Sequence, residues 1–272
     1  MELEQQRAQI AKLGLGLAAI SYDSPAILHD FAQRHHIDFP LLSDAGSKVI
    51  RAAGILNTTV PKTEFAYGIP YPGTFILDAN GVVTGKYFED DFRDRYTAAN
   101  VIARQFGAVP RAAEHEVTGK QITATLWASN AAVAMNQRIT LAIDVHLPPG
   151  LHVYSPGVQG YIPIDWKLEV SPAYHAAPVS YPKSEILYLK AIQEKVPVYK
   201  GDFRLERDVT MSDYRALKAA AGANGELTIH GTLRYQACDD RICYIPRELP
   251  LDWTLRVEAP DLQRAPASVQ HK

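Results

Sequence analysis

The order of apolar and polar residues changes character near the middle of the chain. In residues 1–107, short apolar runs alternate with segments whose apolar positions recur at helical spacing, which is typical of an α/β layer. The run Leu15–Ser21 predicts a strand buried on both faces, and Ser24 predicts the N-cap of the helix that follows. An Asn-Gly turn predicts a hairpin over Thr74–Phe88, and Gly107 closes a last helix. The predicted order of elements is αβαβαββα.

Apolar and polar residues alternate with a period of two in residues 117–259. Segments with this pattern are separated by proline and glycine at short spacing, which predicts an antiparallel β-sandwich with one helix over residues 212–222. Residues 108–116 lack strong periodicity and are predicted to be a linker. Residues 260–272 are predicted to be a frayed tail.

Composition excludes several classes of partner. The 272 residues suffice for two domains, and a formal charge of −2 gives no electrostatic case for nucleic acid or an anionic membrane. No apolar run reaches the length of about 18 residues that a transmembrane helix needs, so no membrane insertion is expected. The first residues are polar and lack the apolar core of a secretory signal, so we expect either a cytoplasmic protein or a chain whose leader is missing.

The chemistry of the chain is concentrated in the stretch YQACDDRICYIP, which holds the only two cysteines, Cys238 and Cys243. Two cysteines placed at random in a chain of this length fall so close together in roughly 4% of cases. Charged residues lie between them, which argues against two separate apolar core positions. A metal site is not expected, because two cysteines without a second pair or a histidine cluster do not supply four ligands.

Two interpretations of the pair remain. A structural disulfide needs the chain to turn back between the cysteines, and closing so short a loop stabilises a domain by only ~2 kcal/mol. A redox-active dithiol explains the spacing better, because such a pair can open and close with little change to the fold. Arg241 lies closer in sequence to Cys243, and a nearby cation favours the thiolate. Cys243 is therefore the candidate attacking sulfur, and Cys238 the resolving one.

This stretch resembles the N-terminal (alpha) domain of the thiol:disulfide interchange protein DsbD. The cysteine pair follows Tyr235 and Gln236 and precedes a Tyr-x-Pro over residues 244–246, and the resemblance extends from about Glu114 to Glu258. It implies an immunoglobulin-like fold, disulfide exchange with thioredoxin-fold partners, no cofactor and a periplasmic location.

The resemblance also implies neighbours of the cysteine pair. The family's cap loop corresponds to Glu194–Gly201, with Val198 and Tyr199 in the place of its aromatic shield. His152 and Tyr154, in the segment LPPGLHVYSPG, match positions beside the pair, although both also fit as ordinary strand side chains. Tyr235 and Tyr244 flank the pair in sequence.

The first half resembles the AhpC/TSA group of the peroxiredoxin/thioredoxin-like superfamily. The resemblance rests on LAAISYDSP, FPLLSD and the turn from Tyr71 to Phe75 that leads into ILDANG. It implies an incomplete thioredoxin-like domain, because the first core strand and the reactive cysteine have no counterpart. Pro72 matches a proline that is often cis and exposes a backbone edge to partners, and it fits equally as a plain strand-start proline.

These observations favour a thiol–disulfide exchange protein, with truncation at the N-terminus as the expected cause of the missing elements. A non-catalytic binding module with a permanent disulfide is the main alternative. A fragment of a peroxiredoxin-type peroxidase is a second, which would need a nucleophile that the first half lacks.

Overall fold

A computed structural model describes residues 2–64, 67–88, 94–107, 111–189, 193–263 and 266–267. The chain forms two compact units. We call them the α/β unit (Met1–Gly107 with Asp261–Lys272) and the sandwich unit (Ala108–Pro260). Asp261, the second residue of the predicted tail, belongs to the α/β unit, and its carboxylate lies 3.2 Å from the imidazole of His35.

The α/β unit follows the predicted order of elements, with one short extra strand before the last helix. Strands β1 and β2 pair in parallel, and β3 and β4 form an antiparallel hairpin. The elements are α1 (Glu2–Lys12), β1 (Ala19–Ser21), α2 (Pro25–His35), β2 (Leu41–Ser43), α3 (Lys48–Ala52), β3 (Gly73–Leu77), β4 (Val83–Phe88), β5 (Arg95–Tyr96) and α4 (Ala98–Phe106).

Local signals account for most of these boundaries. The Ser24 side chain accepts a hydrogen bond from the amide of Ile27, as an N-cap does, and Gly107 ends α4 in the left-handed conformation. The prediction for Leu15–Ser21 was wrong in length and burial. The Leu15 amide bonds to the Ile10 carbonyl in the turn that ends α1, so β1 begins only at Ala19, and Ile20 is exposed.

The sandwich unit consists of strands and one short helix. Its elements are β6 (Ala112–Gly119), β7 (Ile122–Ala128), β8 (Ala132–Val133), β9 (Gln137–His146), β10 (His152–Tyr154), β11 (Asp165–Leu168), β12 (Tyr174–Ala176), β13 (Glu185–Leu189), β14 (Glu194–Lys200), β15 (Asp202–Met211), α5 (Tyr214–Ala220), β16 (Glu226–Tyr235), β17 (Ala237–Cys238) and β18 (Arg247–Val257).

These strands form three sheets. One has the order β12-β15-β9-β7-β6, a second β11-β16-β18-β8, and a third β13-β14-β10-β17. Burial alternates along β16 because one face packs inward, as a period of two requires. The first two sheets meet at buried tryptophans, where the indole N–H of Trp253 donates to the Trp127 carbonyl and Trp166 packs against Trp253. The predicted fold class, which combines a thioredoxin-like α/β domain and an immunoglobulin-like sandwich, is confirmed.

The predicted linker is shorter than residues 108–116. Residues 112–116 form the first part of β6, which pairs with β7 despite a register shift. Sequence periodicity missed them because β6 lies at a sheet edge, where burial alternates only between half-buried and exposed positions. Within the described ranges, every helix is too short or too polar to span a lipid bilayer.

Candidate functional site

The two cysteines lie where the chain leaves one sheet and joins another. Strand β16 ends at Tyr235 in the second sheet, and β17 then pairs with β10 at the edge of the third. Cys238 and Cys243 face each other across a tight turn and are joined by a disulfide, with their Cα atoms 4.0 Å apart. The chain therefore turns back between the cysteines, as a bond between them requires.

One side chain holds the turn between the cysteines. The Oδ1 atom of Asp239 accepts hydrogen bonds from the amides of Arg241 (2.7 Å) and Ile242 (2.8 Å). Its Oδ2 atom accepts one from the Tyr244 hydroxyl at 2.9 Å. These donors, the Ile242 amide foremost, lower the pKa of the Asp239 carboxyl below its ordinary value. The turn is thus braced by hydrogen bonds as well as by the disulfide.

The two sulfurs differ in their access to solvent. Cys238 is 1% exposed and packs in a small apolar cluster with Tyr154, Val196 and Val198, whereas Cys243 is exposed. Two large apolar residues lie close to Cys243 in sequence and are exposed to solvent, Ile242 at 57% and Ile245 at 73%. An attacking group from another protein can therefore approach Cys243 but not Cys238.

Two stacked tyrosines, Tyr154 and Tyr161, lie next to the cysteine pair. The Tyr154 hydroxyl lies 3.7 Å from the Cys243 Sγ atom, and the Tyr154 ring stacks on Tyr161 with centroids 4.3 Å apart. The Tyr161 hydroxyl donates to Glu194 Oε2 at 2.7 Å, and this bond to a carboxylate raises the pKa of Tyr161 to about 12. Burial raises the pKa of Tyr154. Both phenols therefore keep their protons at neutral pH.

His152 is the buried neighbour of Cys238. The two residues are partners in the pairing of β10 with β17, and His152 is only 2% exposed. Its ring lies edge-on to Tyr154, with centroids 5.5 Å apart. Burial, with the nearby charge of Lys200, lowers the pKa of the imidazole below its ordinary value.

The segment expected to be a cap loop is a strand. Residues 194–200 form β14, which pairs with β13 on one edge and β10 on the other. Val198 packs beside Cys238, but Tyr199 points to the opposite face, into the main core, where it stacks on Phe203. The aromatic side chains next to the cysteine pair are Tyr154 and, stacked on it, Tyr161, rather than Tyr199. Only Tyr154 was identified from the sequence; Tyr161 was missed, because no local pattern links it to the cysteines.

The remaining candidates are spread more widely. Tyr235 is buried in the main core, where its hydroxyl donates to the Lys120 carbonyl at 2.7 Å. Arg241 is exposed in the turn, and Tyr244 braces that turn through Asp239. Pro72 belongs to the α/β unit, where it helps to line an apolar cavity of about 540 Å³.

Two further expectations concern proline geometry and metal. The peptide bond before Pro72 is trans, as are the other peptide bonds of the described residues, so the cis form that the resemblance suggested is not adopted. Among the same residues, no group of three or more histidine, cysteine or acidic side chains is arranged to hold a metal ion.

The site is thus a short-range disulfide at the edge of an immunoglobulin-like domain. Residues 123–251 match the family model described as thiol:disulfide interchange protein DsbD, N-terminal, and residues 1–86 match the AhpC/TSA family. Both resemblances stated from the sequence are confirmed. The segment that matches the DsbD family model carries the disulfide-bonded cysteine pair.

A solved structure and the curated proteins were also compared with the chain. The crystal structure of the N-terminal periplasmic domain of ScsB from Proteus mirabilis is similar at 12% identity and a TM-score of 0.39. The match covers 52% of this chain and 51% of that one, so the chain spans about half the length of that protein's chain. No curated protein matches the chain significantly.

Proposed function

We propose that the sandwich unit exchanges disulfides with thioredoxin-fold proteins through Cys238 and Cys243, and so carries electron pairs between them. The observation that carries this proposal is the unequal exposure of the two sulfurs. An exposed Cys243 can form a bond to a partner, while a buried Cys238 stays available inside the same domain to break it. The family match of residues 123–251 supports the same chemistry.

The proposed reaction balances without a cofactor. A partner thiolate attacks the Sγ atom of Cys243, a mixed disulfide forms, and the bond to Cys238 breaks with its electron pair left on the Cys238 sulfur, which takes a proton. The partner's second thiolate then attacks its own sulfur in the mixed disulfide, and Cys243 leaves as a thiolate. The partner is oxidised and the domain gains two electrons. The reverse sequence passes them on.

The fold supports cycling between the two states. The disulfide closes a loop of only a few residues, worth ~2 kcal/mol on the chain-entropy model. The pairing of β16 with β18 runs from Glu226 opposite Arg256 to Tyr235 opposite Arg247, and it does not include the bridged turn. Reduction therefore removes one local constraint and leaves the main ladder of the second sheet in place.

Equilibration of the intact protein against glutathione and dithiothreitol buffers tests the proposal, with thiol alkylation and mass spectrometry to count free cysteines. We expect a reduction potential well above about −300 mV and an unchanged far-UV circular dichroism spectrum on reduction. A potential below that value, or unfolding on reduction, would instead identify a permanent bond and a binding module. The double variant Cys238→Ser, Cys243→Ser is the control for non-specific alkylation.

A further inference from the structure

We propose that His152 is the base that takes the proton from the Cys238 thiol when Cys238 resolves a mixed disulfide held on Cys243. The proposal rests on the exchange function above and assigns a proton acceptor to one of its steps.

The strand register places the imidazole beside the buried sulfur. Opposed residues of an antiparallel pair carry their side chains on the same face with Cβ atoms about 4.5–5.5 Å apart, and His152 is opposed to Cys238. Tyr154, two residues further along β10, shares that face and packs with Cys238. His152, Tyr154 and Cys238 therefore lie on one face of the third sheet.

The imidazole has a nitrogen without a partner. The Nε2 atom of His152 is buried and accepts or donates no hydrogen bond among the described residues. A buried nitrogen without a hydrogen bond normally destabilises the folded state, so the unpartnered Nε2 atom of His152 needs a functional explanation. A thiol proton released beside it supplies that use.

Cys238 needs a base more than Cys243 does. Burial in an apolar cluster raises the pKa of a thiol, because the thiolate is stabilised poorly there, and the carboxylates of Asp239 and Asp240 follow directly in the chain. Cys243 is exposed and has the Tyr154 hydroxyl within 3.7 Å of its sulfur. Attack by Cys243 can therefore proceed without a general base, whereas resolution by Cys238 requires that its proton be removed.

The charges around His152 keep it ready to accept a proton. Lys200, its partner on β14, disfavours the imidazolium, while Asp239 and Asp240 in the turn after β17 favour it, and Tyr154 on its own strand stays neutral. Burial outweighs the two carboxylates, so the resting imidazole is neutral at pH 7. Once it gains the proton, the two carboxylates are the groups that stabilise the resulting cation.

A cavity gives the proton a way out. His152 lines a cavity of about 310 Å³ together with Lys200, Asp240 and the turn at Pro148–Leu151. Lys200 and Asp240 are exposed, so the rim of this cavity reaches solvent. The imidazolium formed during resolution can return its proton to water through this opening.

His152 Nε2 takes the Cys238 thiol proton, and the Cys238 thiolate attacks the Cys243 sulfur of the mixed disulfide. The bond between Cys238 and Cys243 forms as the bond to the partner breaks, and the partner sulfur leaves as a thiolate with the electron pair. His152 then releases the proton to solvent.

Ellman's reagent separates the two steps in the intact, reduced protein. Attack by Cys243 releases a first thionitrobenzoate, and resolution by Cys238 releases a second. We expect His152→Gln to slow the second phase about 100-fold at pH 7, the usual scale of general-base catalysis, and to leave the first phase unchanged. His146→Gln, which alters an exposed imidazole bonded to Asp202, is the matched control and should change neither phase.

The wild-type protein provides a second measurement that does not depend on the fold of a variant. Its second phase should slow as pH falls through the imidazole pKa measured by NMR in the same protein, and the first phase should show no break there. Equal rates for wild type and His152→Gln, equal slowing of both phases, or no break at the imidazole pKa would each overturn the assignment. Failure of the exchange function itself would appear elsewhere, as a wild-type disulfide that glutathione buffers do not reduce.

Discussion

The hydroxyl oxygen of Tyr154 lies 3.7 Å from the Sγ atom of Cys243. Because burial raises the pKa of Tyr154, its hydroxyl keeps its proton and can donate it to a Cys243 thiolate in the reduced state. The exposed sulfur thus has a hydrogen-bond donor on its protein side and open solvent on the other.

Removal of that donor should weaken the nucleophile. We expect Tyr154→Phe to raise the pKa of the Cys243 thiol and to slow its alkylation by iodoacetamide at pH 7 about 3- to 10-fold, since a hydrogen bond to a charged group is lost. The pH dependence of alkylation, followed by mass spectrometry, measures both quantities. Tyr188→Phe, on the exposed face of β13, is the control. An unchanged thiol pKa in Tyr154→Phe would contradict the role of the hydroxyl.

The two single-cysteine variants should differ in the complexes they trap. Cys238→Ser leaves the exposed sulfur and should accumulate a mixed disulfide with oxidised thioredoxin, visible on a non-reducing gel. Cys243→Ser leaves the sulfur that is 1% exposed and should accumulate at least about 10-fold less, because a partner cannot reach it. Equal trapping by both variants would show that the oxidised structure does not represent access in the reduced state.

Loss of the brace in the turn should shift the redox equilibrium. Asp239→Ala removes the acceptor for two backbone amides and the Tyr244 hydroxyl, so the reduced turn holds the two thiols together less closely. We expect the reduction potential to rise by about 10–20 mV, the scale of one or two lost hydrogen bonds. Asp240→Ala removes the same charge from the same turn and should shift the potential less. A fall in potential for Asp239→Ala would contradict the argument.

The apolar border of Cys243 should matter for protein partners only. We expect Ile245→Asp to slow reduction by thioredoxin about 10-fold and to leave reduction by dithiothreitol unchanged, because only the protein must bury that side chain. Stopped-flow fluorescence follows both reactions. Val170→Asp, at a fully exposed position of the same unit, is the control. Parallel slowing with both reductants would point to a change at the disulfide itself.

Acid should destabilise the sandwich unit through His152. Its folded-state pKa is lowered from the ordinary value of 6.5, so the unfolded state binds more protons, and this contribution to stability is complete above pH 6.5 and declines as pH falls toward the folded-state pKa. Urea unfolding at several pH values should show a smaller loss below pH 6.5 for His152→Gln than for wild type. His146→Gln should retain the wild-type slope, and an equal slope for all three proteins would mean that His152 titrates normally.

Elements specified by neighbouring residues could be predicted from the sequence. The Asn80-Gly81 hairpin and the cap at Ser24 depend on a few adjacent positions, so their chemistry is visible in the residues themselves. The same holds for the solvated loop between the cysteines, which Asp239, Asp240 and Arg241 indicate.

Features that depend on pairing between distant strands could not be predicted. The segment from Glu194 to Lys200 is a strand because β10 and β13 pair with its two edges, and β10 is far from it in sequence. The stacking of Tyr161 on Tyr154 depends on how the chain returns after β10, and the burial of His152 depends on β14 and β17. The cysteines and their neighbours His152, Tyr154 and Val198 were thus identified at the sequence level, but the strand that carries Val198 and the position of Tyr161 were not.

The position of the bridge beyond the β16–β18 ladder has a consequence for biosynthesis. That ladder joins the strands on either side of the bridged turn, and it contains no atom of the bond. A newly made polypeptide can therefore acquire its whole sandwich with both thiols free, and an oxidant can act afterwards on a finished surface. We therefore expect assembly of this domain to precede sulfur chemistry during its maturation.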